Sequence, residues 1–174
     1  MPFNYLDSVK KYFHQQKSLG DKTIEQLDEN QICWQYNENS NSIAIIVQHL
    51  WGNMLSRWTN FLTEDGEKKW RDRDSEFEPV IKTKEELKQK WEAGWQCVFS
   101  ALDSLTEKDI DKTIFIRKEP QTVIDAISRQ LAHYSNHVGQ IVYVGKMILN
   151  EQWDSLSIPK GNSKDFNKKM MEGK

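Results

Sequence analysis

The chain has 174 residues, with 24 Lys and Arg set against 26 Asp and Glu for a formal net charge of −2, and its pI is near 6.1. That balance excludes the global basic field that nucleic-acid binding needs, and no apolar run approaches the roughly 20 residues of a membrane span. A chain of this length is expected to form one domain, residues 1–174, burying about 70% of its unfolded surface.

The opening Met-Pro-Phe-Asn-Tyr-Leu-Asp lacks a charged-then-apolar export pattern, so a cytoplasmic protein is expected. The spacing of Phe3, Leu6, Val9, Phe13, Ile24 and Leu27 predicts a first helix from Phe3 to about Glu29, bent near Gly20. His14 is expected on it as a partly exposed polar residue. Asn30 to Asn41 reads as a connection whose Trp34 and Tyr36 pack back on the body. Cys33 and Cys97 lack CxxC spacing and are expected to be reduced, buried and inert.

Asn41 or Ser42, both N-cap residue types, opens a second helix that runs to about Leu62 and is the most apolar segment of the chain. His49 lies inside it, where a neutral imidazole needs hydrogen-bond partners or a metal. Thr63 to Lys82 is a long charged connection holding Trp70, Arg71, Arg73 and Phe77; such loops are either functional or solvated crossovers. Thr83-Lys-Glu-Glu86 is a capping box. It starts a third helix along which Leu87, Trp91, Trp95, Val98, Leu102 and Leu105 recur at helical steps. Thr113 to Arg117 suits a short extended piece. Pro120 is expected in the first turn of a fourth helix, where its missing N–H costs little. That helix runs to about Asn150, buried along Val123, Ile127, Leu131, Tyr134, Val138 and Ile141. In the tail, Ile158 and Phe166 are apolar enough to dock and Ser163 suits a helix cap. The fold class is all-α, a helix bundle.

His133 and His137 lie four apart at the edge of the last apolar stripe, so they project from consecutive turns of one helix face. With His49 from a second apolar helix they make a possible three-imidazole metal site in the bundle core. No carboxylate or thiolate completes such a shell, which leaves open positions of the catalytic kind. Alternatively all three are ordinary buried or boundary histidines bonded to carbonyls. The H-E-x-x-H protease motif is absent, because Tyr134 stands where its general-base Glu would be.

The apolar Ser-Ile-Ala-Ile-Ile-Val-Gln-His49-Leu, followed about 80 residues later by His133-Tyr-Ser-Asn-His137-Val-Gly-Gln-Ile, resembles the DinB/YfiT-like superfamily. The likeness spans nearly the whole chain, and Trp153 with Ser-Ile-Pro-Lys-Gly resembles one branch. It implies a DinB-type four-helix bundle with a long loop between helices two and three and the C-terminal tail docked on the body. It also implies a homodimer and a divalent metal (Zn, Ni or Fe) held by His49, His133 and His137. Relatives of this kind include enzymes that transfer low-molecular-weight thiols such as bacillithiol.

The resemblance therefore leads to a metal-dependent S-transferase acting on a small-molecule substrate, with a low-molecular-weight thiol as cosubstrate. Arg57, Arg71, Arg73 and Arg117 are available for its carboxylates, or are simply solvated surface residues. The alternatives are a hydrolase using metal-activated water and a non-enzymatic metal-binding stress-response protein. No catalytic base is evident in the sequence. No nucleic acid and no membrane are expected as partners.

Overall fold

Asn4 accepts a hydrogen bond from the Asp7 amide at 2.7 Å and so caps α1, Tyr5–Gln26. The structure, a computed structural model, describes residues 4–173, of which the helices make up most. Phe3, the expected first residue of this helix, lies outside the described residues. The helix runs without a break through Gly20. Gly20 serves packing: a Cβ there would fall inside the indole of Trp91. Asp28 and Gln31 form a capping box for the single turn α2, Glu29–Ile32. Beyond it Tyr36 is 72% exposed, so its ring meets solvent and the neighbouring Trp34 rather than the body.

Ser42 caps α3, Ile43–Trp58, which is buried on nearly every side. It stops four residues before the expected Leu62, because Asn60 turns to φ 51°, a left-handed conformation that Asn tolerates and a helix cannot continue through. The predicted Thr83–Glu86 capping box opens α4, Lys84–Asp103. β1 (Thr113–Ile116) and β2 (Glu119–Thr122) then pair antiparallel with Phe115 opposite Pro120.

Pro120 is therefore in a strand, not in the first turn of a helix. An edge strand spares its missing N–H as well as a helix start would. The actual cap of α5, Val123–Leu149, is Thr122, whose side chain accepts from the Asp125 amide. The hairpin turns through Arg117 and Lys118, at φ 56° and 64°, values that a two-residue hairpin requires and that side chains resist. The Asp65 carboxylate offsets that strain by accepting both their N–H groups, at 2.8 and 2.7 Å.

The four long helices pack α3 against α4 and α1 against α5, with α3 also meeting α5 and α1 meeting α4. One continuous core runs between them. At its centre the Phe13 ring lies 6.0 Å from those of Trp58 and Tyr134 and 6.4 Å from that of Trp95. The tail docks at its start: Trp153 packs on the core, and Gln26 exchanges two hydrogen bonds with the backbone of Asp154. Ile158 and Phe166 are exposed, and α6, Ser163–Met171, buries no residue. Ser163 is its first residue and not its cap, which falls to Asn162 without a side-chain hydrogen bond.

Truncating a fully buried aromatic typically costs about 3–5 kcal/mol. Phe13→Ala should destabilise the protein by that order in chemical denaturation. Phe115→Ala, at a half-exposed hairpin position, should shift it by less than about 1 kcal/mol.

Candidate metal centre

α3 delivers His49 and α5 delivers His133 and His137 to one point between the two helices. The ring centroids are 4.6 Å apart for His133 and His137, 4.9 Å for His49 and His137, and 5.4 Å for His49 and His133. One ring nitrogen from each converges on the others, all within 4.8 Å. His49 is buried and the two on α5 are half-buried. All three residues singled out in the sequence are thus brought together, and they could hold a metal ion.

The hydrogen bonds of these rings test the fit. The Nδ1–H of His49 donates to Glu76 Oε2 at 2.9 Å, and that of His137 donates to Gln140 Oε1 at 3.0 Å. Both rings are thereby fixed in the tautomer that leaves Nε2 with a free lone pair. His133 Nε2 is buried with no hydrogen-bond partner among the described residues. A buried imidazole nitrogen normally finds a partner. Outer partners that orient each ligand through its second nitrogen are what metal-binding histidines carry. The arrangement fits a divalent ion better than a set of ordinary core histidines.

Glu76 was not singled out by its position in the sequence. It sits in a turn of 3₁₀ helix within the long loop, buried, and receives Arg71 Nε at 2.6 Å and Nη2 at 2.9 Å in addition to His49. Burial pushes its carboxyl up, but the hydrogen bonds from His49 and Arg71 outweigh this and hold it below the usual carboxylate range. It is ionised wherever the protein is folded near neutral pH. Gly52, one turn beyond His49, makes room for it, since a Cβ at that position would overlap the Glu76 carboxylate. Phe77 beside it stacks on the His49 ring at 5.0 Å.

Burial, reinforced by His137 and His49, lowers the pKa of His133 to about 4. His137 is lowered too, by burial first and His49 second. Both are lone-pair donors at neutral pH. Tyr134, between them in sequence, faces the core instead. Its hydroxyl accepts from Trp58 Nε1 and donates to Asn53 Oδ1, and burial raises its pKa. It supplies no base to the site.

The four arginines separate. Arg71 is buried on Glu76, and Arg57 is buried with bonds to Ser56, the Gly66 carbonyl and Glu67, so neither is a solvated surface residue. Arg117 pairs with Glu67 at the hairpin, and Arg73 is exposed. Of the four, Arg71 alone reaches the histidines, through Glu76. Cys33 is exposed, contrary to the expected burial, while Cys97 is half-buried with its thiol pKa raised by that burial. Neither joins the cluster.

Above its unfolded value of 6.5, His133 is neutral in both states and contributes no pH dependence. Between 6.5 and about 4 the unfolded chain takes up a proton that the folded ring refuses, so metal-free protein loses stability as pH falls through this window. NMR of the metal-free protein should show the His133 ring still neutral at pH values between those limits. A midpoint at its ordinary value would contradict the burial account. Gly52→Ala should displace Glu76 and release the Nδ1–H of His49, seen as loss of its protected imidazole proton signal.

No curated protein matches the chain. Residues 1–162 match the family described as "Protein of unknown function (DUF1572)", which takes in all of α1 to α5 and all three histidines. The chain belongs to the DUF1572 family.

Proposed function

We propose that this protein is a DinB-type four-helix bundle, built from α1, α3, α4 and α5, that uses a divalent metal to transfer a low-molecular-weight thiol to an electrophilic small molecule. The observation that carries this reading is the convergence of one ring nitrogen from each of three imidazoles, beside which His133 keeps a buried Nε2 without a partner among the described residues. His49, His133 and His137 would hold the ion; neutral imidazoles suit Zn²⁺, Ni²⁺ or Fe²⁺. When bound, such an ion supplies the positive charge that favours a thiolate at neutral pH.

The chain's own residues orient and insulate. Glu76 and Gln140 hold two of the three rings, Arg71 keeps Glu76 ionised, and Phe77 covers one face of His49. In the transfer the sulfur forms a bond to carbon, the leaving group departs with its electron pair, and the thiol proton passes to solvent. Three protein ligands leave room for an incoming group. Both Glu76 oxygens are already engaged, so Glu76 is not free to serve as a general base for the hydrolase alternative. A purely metal-binding role shares the same site and differs only in turnover.

Metal-loaded protein incubated with bacillithiol, cysteine or glutathione and a chlorinated fluorogenic electrophile should turn over with at least one of them. His49→Ala should lose that turnover. Glu76→Gln, which keeps the shape but loses the charge, should weaken metal binding by roughly 10–100-fold. No turnover above the His49→Ala background with any of the thiols would contradict the transferase.

A further inference from the structure

Phe77 ends the 3₁₀ turn Ser75–Phe77, and the chain is tied down on both sides of it. Glu76 is held by His49 and Arg71, and Gln48 of α3 donates to the carbonyls of Ser75 and Glu78. The Phe77 ring lies 5.0 Å from that of His49 and 24° from parallel to it, yet the residue stays 45% exposed. A single exposed aromatic is ordinary on a protein surface. This one is fixed against a ring of the candidate metal centre, with part of its apolar surface open to solvent.

The polar side chains that hold the histidines are already engaged, Glu76 with His49 and Arg71, and Gln140 with His137. Phe77 differs from them in kind, because it presents an apolar face beside the centre. Burying that face under an incoming group is favourable, and contact between aromatic rings contributes beyond the area it buries.

We propose that Phe77 is a specificity-determining residue of the centre, receiving a flat aromatic group of the molecule that reacts there, so that the electrophile is an aryl or arylalkyl compound. The inference rests on the metal reading of the three histidines. Low-molecular-weight thiols of the cysteine type are polar and gain little from such a surface, which assigns it to the acceptor. Anchoring of the turn through Glu76 and Gln48 holds the ring ready, so little ordering is needed when the acceptor arrives.

Hydroxamates chelate a divalent ion through two oxygens and need no thiol, so they probe the centre independently of turnover. The intact chain loaded with Co²⁺ and titrated by visible absorption should bind benzohydroxamate roughly tenfold more tightly than acetohydroxamate. Phe77→Leu, which keeps apolar bulk without a ring, should bring that preference below about threefold, and Phe77→Tyr should keep it. Both variants should retain the circular dichroism spectrum and the uptake of Co²⁺. A preference unchanged in Phe77→Leu, no preference in the intact protein, or no hydroxamate binding would each overturn the role of Phe77 while leaving the metal centre standing. Failure of the intact protein to take up Co²⁺ would instead overturn the metal reading, and this inference with it.

Discussion

The Glu76 carboxylate is where the long loop, α3 and the histidine cluster meet. Arg71 grips it with two N–H groups from the same loop, and His49 donates to it from α3. A buried carboxylate without such partners would be heavily penalised, and removing one partner of a buried charged pair costs about 3–5 kcal/mol. The loop is therefore held as part of the body, with Gln48 fastening it through the Ser75 and Glu78 carbonyls. The same bonds decide which nitrogen of His49 points inward. A contact that secures the fold also sets the chemistry of the site.

Helix packing supplies the rest of the constraint. α3 is buried on almost all sides, so the polar residues it carries inward must each be satisfied. His49 finds Glu76, Asn53 finds the Tyr134 hydroxyl, and Arg57 finds Gly66 and Glu67. The Nε2 of His133 is one of five buried side-chain polar atoms without a partner among the described residues, and its ring is one of three that each bring a nitrogen to the same point.

Much of this was legible from periodicity. The apolar steps of α3, α4 and α5 located the long helices, and the i, i+4 spacing of His133 and His137 put them on one face. His49 followed from a histidine inside an apolar helix. What escaped was set by tertiary contacts. Glu76 lies 27 residues beyond His49 in a charged loop with no repeating pattern to mark it. Gln140 lies three residues after His137, a helical spacing that places the two side chains side by side. Pro120 signals a helix start and a strand edge equally well, and only the Arg117–Lys118 turn, pinned by Asp65, decides between them. Gly20 accommodates an indole from another helix, a partner that no local pattern reveals.

Everything proposed for the histidines depends on their holding an ion together. Elemental analysis of protein purified without an affinity tag, before and after loading with Zn²⁺, Ni²⁺ or Fe²⁺, measures that most directly. The account predicts about one divalent ion per chain, as expected for a three-histidine site, and loss of that ion in His133→Ala with the fold retained. Failure of the intact protein to retain or rebind a stoichiometric metal would contradict it.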